Sequence, residues 1–420
     1  MNHEPDIAIV GAGAAGIGAA RRLAESGLST LIVDALPQVG GRAWTRDVAG
    51  MKLDLGCEWL HSAERNPWTR LAEAGGFAVV RRPPGWGRQY RGLGFTAAQQ
   101  DAAHAEFAAW SARLITAPPA SDCAADALDR EGQWTAYLQA MSGFISGDEL
   151  ERISARDYAA YDVAASDLNW RLPGGYGALI AAHLPSTAAL SLATPVQAIS
   201  LAGRRVALET PSGTIRARAA ILTVSTNVLA GNVPRGGTIA LPAALDPWRD
   251  AAARLPLGNN EKLFLEIVGA HHPFAAETRV LGDPRDATTG TYTIRPFGWP
   301  VVMCYLGGAG ARAVATAGHA AAFARAIDQL AALFGADVRK SLRPLAASDW
   351  TRTPAIAGAY SHALPGEAAA RGVLAQPFEG RLFFAGEATH RFDFSTAHGA
   401  YESGVRAAEE AIGALAEPAR

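Results

Sequence analysis

Glycines follow the first apolar run of the chain at the spacing of a dinucleotide-binding turn. The run 6–10 predicts a buried parallel strand, and the pattern G-x-G-x-x-G comes directly after it, at the start of an alanine-rich helix. Such a helix start offers free N–H groups to a pyrophosphate, and Asp34, 18 residues beyond the last glycine, is placed to bind a ribose hydroxyl. The alternative is a structural glycine turn with a surface aspartate. The predicted turn comprises Gly11, Gly13, Ala14, Ala15 and Gly16.

Lysine is scarce in this chain. Of the 38 basic residues three are lysines, Lys52, Lys262 and Lys340, and 35 are arginines. Lys262 precedes the apolar run 263–265, in a predicted strand. Arginine stays charged in proteins, whereas a desolvated lysine shifts its pKa and can hold a water. The alternative is a lysine whose ammonium group extends to solvent from a strand end.

A second glycine pair, Gly40-Gly41, precedes Arg42 shortly after Asp34. Two residues without side chains let phosphates approach the backbone, and a guanidinium neutralises them. Here the chain resembles the flavin-dependent amine oxidases, in which a Gly-Gly-Arg at this position serves FAD. Further segments resemble the spermine and polyamine oxidase branch in the same order: 53–61 with 66–67 and 71–74, 173–177, 221–225 (with Ser225 where proline is usual), 255–258 with Lys262, 383–390, 395–400 and 403–404.

The resemblance implies non-covalent FAD as the cofactor. Monoamine oxidases bond FAD to a cysteine at the position of Ala359. The dipole at the start of the predicted helix 397–415 would face the flavin, and Glu387 would accept a ribityl hydroxyl. Besides the residues named above, the FAD-binding residues implied are Gly56, Cys57, Glu58, Trp59, Val196, Trp350, Gly386, Glu387, Ser395, Thr396 and Ala397.

The resemblance also implies four catalytic residues. Lys262 would hold a water beside the flavin, and Tyr360 would form one aromatic wall of the substrate cage. Thr396 replaces the opposite tyrosine of monoamine oxidases, and His61 matches the active-site histidine of the polyamine branch, although a structural histidine is the alternative. Glu58 is either a charge partner for a cationic substrate or a solvated side chain. The implied reaction oxidises an amine to an imine that hydrolyses, with O2 reduced to H2O2.

The elements predict an α/β fold in which a Rossmann-like FAD-binding domain is interleaved with an α+β substrate-binding domain. Strand and helix patterns occur at both ends of the chain, and Ile215–Leu222 reads as one strand after a hairpin turn. We assign 1–80, 171–256 and 350–420 to the FAD domain, and 81–170 and 257–349 to the substrate domain. Asp148, Glu149, Asp157 and Asp162 are expected to be solvated helix residues or to bind a distal ammonium group.

Composition limits the remaining classes. The 420 residues carry a net charge of -2, which gives no general field for nucleic acid or membrane, and no 18-residue apolar run is present. The three separated cysteines and the polar start predict a cytoplasmic protein without signal peptide, and no metal-ligand spacing occurs. The partners expected are a small amine and O2, and the oligomeric state stays open. Two other functions remain: a flavin dehydrogenase or desaturase for a non-amine substrate, and a non-enzymatic FAD-binding protein.

Overall fold

The predicted strand–helix–strand unit is present at the start of the chain. In the computed structural model, which describes residues 4–129, 131–234 and 236–416, two parallel strands flank one helix. The strands are β1 (Ile7–Val10), β2 (Thr30–Val33), β3 (Thr45–Val48), β4 (Met51–Asp54), β5 (Trp59–Leu60), β6 (Trp170–Arg171), β7 (Ala189–Ser191), β8 (Ala198–Ser200), β9 (Val206–Thr210), β10 (Gly213–Ala217), β11 (Ala219–Leu222), β12 (Asn260–Ile267), β13 (Thr278–Leu281), β14 (Thr291–Ile294), β15 (Val301–Gly307), β16 (Leu342–Ala347) and β17 (Leu382–Phe384).

The α-helices cover both ends of the chain and most of the segment before β6. They are α1 (Ala14–Leu23), α2 (Pro67–Ala74), α3 (Ala97–Thr116), α4 (Thr135–Ser146), α5 (Ala155–Ala164), α6 (Tyr176–Ala182), α7 (Thr226–Ala230), α8 (Asp246–Ala253), α9 (Ala309–Ala317), α10 (His319–Phe334), α11 (Ala370–Leu374) and α12 (Ala397–Ala416). In the described part of the chain, none of them has the length and apolar character that crossing a membrane requires.

A parallel sheet forms the first layer, in the order β17-β11-β1-β2-β7. Strands β1, β11 and β17 are buried along their whole length, as expected when helices cover both faces of a parallel sheet. The sheet takes its strands from all three predicted FAD segments. In such sheets ligands bind beyond the carboxyl ends of the strands, which is where the two glycine turns and Glu387 lie.

A second sheet, antiparallel and ordered β13-β14-β15-β12-β16, lies wholly within 257–349. One face packs on α9 and α10. The other face carries Phe264 and Met303, which share a core with Leu53, Leu55 and Trp350 from the segments around the parallel sheet. The functional groups of both regions therefore meet on this second face. The domain boundaries themselves remain a prediction.

Helices α1 and α12 cross with almost no side chain between them. A Cβ added at Gly18 would lie 2.4 Å from the Tyr401 carbonyl oxygen, and one at Gly404 would lie 1.9 Å from that of Ala15. Both distances are far below van der Waals contact, so this crossing requires glycine on each helix. The close contact holds the N-terminal part of α1 against the helix that closes the chain.

The prediction of one strand over Ile215–Leu222 is wrong. Strand β10 ends at Ala217 and pairs antiparallel with β9, whereas β11 begins at Ala219 and enters the parallel sheet between β1 and β17. The burial pattern gives the reason: β10 has exposed positions, while all four residues of β11 are buried. One straight strand does not satisfy both environments.

Candidate active site

The glycine turn after β1 is built so that only glycine fits at two of its positions. Gly11 has φ +114°, and a Cβ there would lie 2.3 Å from Thr223 Oγ1. A Cβ at Gly16 would lie 1.9 Å from the Gly11 carbonyl oxygen. Asp34 supports the turn from the end of β2, because its Oδ2 accepts the Ala12 N–H at 2.6 Å. The turn is therefore fixed from both sides while its outer backbone stays bare.

The second glycine turn lies directly against the first. Gly40 and Gly41 have φ +112° and +58°, and Gly40 forms an isolated parallel bridge with Gly13. A Cβ on Gly41 would lie 3.3 Å from the Gly13 Cα. Side chains would fill the space between the turns, so the two together form a cradle of bare backbone at the N-terminus of α1. This arrangement fits the pyrophosphate of a dinucleotide.

Arg42 and Glu387 connect this cradle to the end of the chain. Arg42 Nη1 donates to Glu387 Oε1 at 2.9 Å and to the Ala359 carbonyl oxygen at 2.5 Å. Glu387 also accepts from the N–H and hydroxyl of Ser361 and from the N–H of Ser395. Burial alone would raise the pKa of the Glu387 carboxyl, but the Arg42 charge and these hydrogen bonds hold it below its ordinary value. The predicted contact of Glu387 with a ribityl hydroxyl remains a prediction.

Gly56, Cys57 and Trp350, three of the predicted FAD-binding residues, lie in closely packed surroundings near the end of β4. A Cβ at Gly56 would lie 1.7 Å from the Arg42 carbonyl oxygen, and the Trp350 ring lies beside it. Trp350 Nε1 donates to the Leu55 carbonyl oxygen at 2.9 Å. Burial raises the pKa of the neighbouring Cys57 thiol to about 12, so the thiol stays protonated. Val196, in contrast, lies in the apolar core on the other side of the parallel sheet.

Lys262 is buried in β12, with 6% of its surface exposed, so the alternative of a solvent-reaching lysine is wrong. Its Nζ donates to Glu58 Oε2 at 2.5 Å and to the Asp54 carbonyl oxygen at 3.1 Å. Burial would raise the pKa of the Glu58 carboxyl, but the charges of Lys262 and Arg171 hold it below its ordinary value. Glu58 is therefore an ionised partner of Lys262, and the expectation of a solvated side chain is also wrong.

Two tyrosines lie next to this ion pair. Tyr305 stands directly opposite Lys262 on the neighbouring strand β15, so both side chains are on the same face. Its hydroxyl is 2.7 Å from that of Tyr360, which donates to the Phe144 carbonyl oxygen at 2.5 Å. Burial raises the pKa of both phenols, which remain neutral. These hydrogen bonds fix the position of the Tyr360 hydroxyl beside that of Tyr305.

His61 follows the short strand β5. Its Nδ1 lies 2.7 Å from Asn169 Oδ1, and its ring is 5.9 Å from that of Trp86. Burial lowers the pKa of His61 to about 4, although the hydrogen bond with Asn169 opposes that shift. His61 is therefore a neutral imidazole at physiological pH.

The start of α12 accounts for Ser395, Thr396 and Ala397. Ser395 has φ +63° and turns its N–H toward Glu387. Thr396 is buried, and its hydroxyl donates to the Asp393 carbonyl oxygen and accepts the Gly399 N–H at 3.0 Å. This is the geometry of a helix N-cap. The Thr396 hydroxyl is thus engaged in the protein, and its predicted place in the substrate cage remains a prediction.

Two predicted solvated acids are buried instead. Asp157 is 3% exposed and forms a bidentate pair with Arg371, at 2.6 and 2.8 Å. Asp148 is 4% exposed and pairs with Arg152 and Arg312. The expectation of solvation fails because an arginine from a distant segment meets each carboxylate: Arg371 pairs with Asp157 on α5, and Arg312 joins the neighbouring Arg152 at Asp148, just after α4.

No sequence motif marks several of the residues at the site. Tyr305 is recognised only through its register with Lys262. Arg171 lies over the rings of Trp59 and Phe297, with distances of 5.0 and 4.6 Å to the ring centres. Arg279 is on β13, on the same sheet. The chain positions of these residues are far apart, so only strand pairing brings them together.

One cluster of possible metal ligands, His390, Asp393 and Glu402, occurs in the described residues. Asp393 is already engaged, because both its oxygens accept from Arg65 at 2.6 Å and His398 Nε2 lies 3.1 Å away. We therefore interpret the cluster as an ion-pair network that fixes the loop before α12.

The comparison with protein families decides to which family the chain belongs. Residues 85–412 match the family described as flavin containing amine oxidoreductase, and residues 9–74 match the NAD(P)-binding Rossmann-like domain. The chain belongs to the flavin-containing amine oxidoreductases. Its reaction is accordingly the FAD-dependent oxidation of an amine.

Individual relatives agree with this assignment. Polyamine oxidase 1 of Oryza sativa subsp. japonica is 28% identical, over 97% of this chain and 97% of the relative. Putrescine oxidase of Kocuria rosea is 32% identical over 23% of this chain and 22% of the relative. A solved structure of putrescine oxidase bound to putrescine superposes with a TM-score of 0.75 at 19% identity, covering 98% of this chain and 99% of that one. The predicted α/β fold of the flavin amine oxidase is thereby confirmed.

Proposed function

We propose that this amine oxidoreductase oxidises a primary or secondary amine beside Lys262, with Tyr360, His61 and Thr396 around the substrate. The observation that carries the proposal is the buried Lys262–Glu58 ion pair opposite Tyr305, on the sheet face that meets the FAD-binding segments. An ion pair in this position is a fixed dipole next to the predicted reaction centre. Polyamine-like substrates are one class within this proposal.

The ammonium group of Lys262 has one N–H donor that is free to bind a further acceptor. It carries three N–H donors, and Glu58 and the Asp54 carbonyl oxygen accept two of them. Among the described residues, no side chain or carbonyl group accepts the third. A water held by this N–H supports the predicted role of Lys262, because the water would be placed where the imine product needs one for hydrolysis.

The neutral state of His61 limits the proton chemistry of the site. With a pKa of about 4, His61 does not act as a general acid at neutral pH. The neutral phenols of Tyr305 and Tyr360 likewise hold their protons. The substrate is therefore expected to bind as the free amine, oriented by the Tyr360 ring, with no side chain required to remove its proton.

FAD would be held by the glycine cradle, with Arg42 and the N–H groups at the start of α1 facing its phosphates and the start of α12 facing the isoalloxazine ring. The further binding residues proposed are Asp34, Gly56, Cys57, Glu58, Trp59, Val196, Trp350, Gly386, Glu387, Ser395, Thr396 and Ala397. When bound, FAD supplies the two-electron acceptor for the amine. Ala359 has no nucleophile, which supports non-covalent binding.

We further propose that the protein acts in the cytoplasm, which its three free cysteines support. We also propose that O2 takes up the two electrons and becomes H2O2. The test is an amine panel with purified yellow protein, in which oxygen uptake and peroxide are measured together. Amine-dependent peroxide in a one-to-one ratio with oxygen is expected. Amine-dependent reduction of an added dye without peroxide would assign another acceptor, and no turnover with any amine would overturn the proposal.

A further inference from the structure

The charges on the substrate-facing side of the antiparallel sheet do not cancel. Lys262 pairs with Glu58, and Arg171 Nη2 pairs with Glu277 Oε2 at 2.5 Å. A third cation, Arg279, has no ion pair within 4.0 Å and no side-chain hydrogen bond to the rest of the described chain. Glu58 and Glu277 thus already have closer partners than Arg279.

The register of the sheet shows that Arg279 is on the same face as Lys262. Arg279 is opposite Thr293, Thr293 is opposite Met303, and Met303 is opposite Phe264. Residues opposite one another share a face, and Phe264 shares its face with Lys262 two positions before it. Thr293, Met303 and Phe264 are all less than 5% exposed. The Arg279 side chain therefore extends from the same buried sheet face that carries Lys262 at the predicted reaction centre.

The charged groups of the site also affect the pKa of Arg279. Burial lowers the pKa of Arg279 to about 10, the charge on Glu58 opposes this shift, and the charge on Arg171 adds to it. Arg279 is nevertheless charged at neutral pH. A partly buried guanidinium without a counter-ion is costly, and an anionic ligand would remove this cost.

We propose that Arg279 binds a carboxylate at the far end of the amine substrate, so that the enzyme prefers amino carboxylic acids over diamines. Strands β13 and β12 are three positions apart in the sheet, about 14 Å between backbones, which the side chains of Arg279 and Lys262 partly bridge. Several carbon atoms must therefore separate the reacting amine from the carboxylate. The Arg279 guanidinium can bind the carboxylate of an amino acid through two parallel hydrogen bonds. A diamine has an ammonium group in place of that carboxylate, so it makes neither hydrogen bond and is repelled by the guanidinium. This inference rests on the proposed amine oxidation.

The test compares three amines of equal length: 5-aminopentanoate, pentylamine and 1,5-diaminopentane. Their rates of reduction of the bound flavin are measured anaerobically in the wild type, Arg279→Met and Arg279→Lys. Arg216→Met, which alters an exposed strand arginine outside this sheet, is the matched control. As a readout without turnover, pentanoate is titrated against the flavin absorbance spectrum.

We expect the second-order rate constant of flavin reduction to be at least about tenfold higher for 5-aminopentanoate than for pentylamine, and Arg279→Met to abolish this preference while pentylamine reacts as before. Arg279→Lys should keep part of it, and pentanoate should bind to the wild type and to Arg216→Met but not to Arg279→Met. Oxidation of pentylamine or 1,5-diaminopentane at least as efficient as that of 5-aminopentanoate would overturn the inference alone. Failure of every amine to reduce the flavin would overturn the proposed function, and with it this inference.

Discussion

Lys262 and Glu58 depend on each other because Lys262 is buried and the Glu58 side chain is only 14% exposed. Removing the lysine leaves an ionised carboxylate without its partner, which costs about 3 kcal/mol of unfolding free energy in comparable buried pairs. We expect Lys262→Met to lower the thermal midpoint, to retain FAD, and to slow flavin reduction or reoxidation at least tenfold. Stopped-flow measurement of both half-reactions, with differential scanning calorimetry, provides the check.

The matched control for this change is Lys340→Met. Lys340 is a solvated lysine with 82% side-chain exposure whose ion pair with Asp337 lies on the surface. Exposed pairs contribute little, so its removal should change neither the thermal midpoint nor the rates. Wild-type rates in both half-reactions of Lys262→Met would contradict the role proposed for Lys262.

His362 should make the protein sensitive to mild acid. It is 2% exposed, and its Nε2 lies 3.5 Å from Asp148 Oδ2, which is longer than a good hydrogen bond. Burial lowers the pKa of His362 to about 4, whereas an unfolded histidine titrates near 6.5. Between these values the unfolded chain binds a proton that the folded chain does not, so stability is lost as the pH falls through this window.

For His362→Leu we therefore expect a smaller loss of unfolding free energy between pH 7.5 and pH 5.5, by about 1 kcal/mol relative to the wild type. Urea unfolding at the two pH values measures it. His271→Asn changes an exposed histidine and should leave the wild-type dependence intact. Equal pH dependence in His362→Leu and the wild type would show that His362 is not the group responsible.

At the scale of elements, the crossing of α1 and α12 determines whether the two helix starts that flank the FAD site stay in place. Gly404→Ala would put a Cβ 1.9 Å from the Ala15 carbonyl oxygen, so the helices must separate. We expect a loss of more than about 2 kcal/mol of unfolding free energy and weaker FAD binding. Chemical unfolding and flavin titration measure these two effects.

The same helix provides the control. Gly413 is exposed on α12, and nothing lies within 4 Å of a Cβ added there. Gly413→Ala should therefore keep FAD affinity unchanged and raise stability by up to about 1 kcal/mol, because alanine favours the helix. If Gly404→Ala behaved like Gly413→Ala, the close crossing would not be needed for the site.

Local patterns were sufficient to predict most elements. The helix predicted over 397–415 is observed as Ala397–Ala416, and the first strand–helix–strand unit was evident from its glycine spacing. What failed depended on contacts between distant segments. The split at Arg218 follows from two different sheets competing for adjacent residues, and the burial of Asp157 follows from Arg371, 214 positions away.

The residues of the candidate site likewise fall into those that could be predicted from local sequence and those that could not. Glycine turns and Lys262 carry a signal in one stretch of sequence, since their spacing or rarity is visible locally. The partner of Lys262, the tyrosine opposite it and the unpaired Arg279 follow from strand pairing and from the fold that brings β12 to the segment after β4. No local pattern marks them.

At the scale of the whole molecule, we propose that the interleaved segments hold FAD by packing and hydrogen bonds alone, because position 359 is an alanine and not a cysteine. We therefore expect acid precipitation to release all of the flavin into the supernatant. Flavin absorbance in supernatant and pellet measures the partition, and a covalent flavoprotein treated in parallel gives the opposite reference. Yellow colour retained in the pellet would refute non-covalent binding.

The central claim is that an amine reduces the flavin at the Lys262 site. The most direct measurement is anaerobic mixing of the holoprotein with primary and secondary amines, followed by readmission of O2. The account predicts that at least one amine bleaches the oxidised flavin band, and that the band returns with O2 as peroxide forms. A flavin that dithionite reduces but no amine bleaches would contradict it.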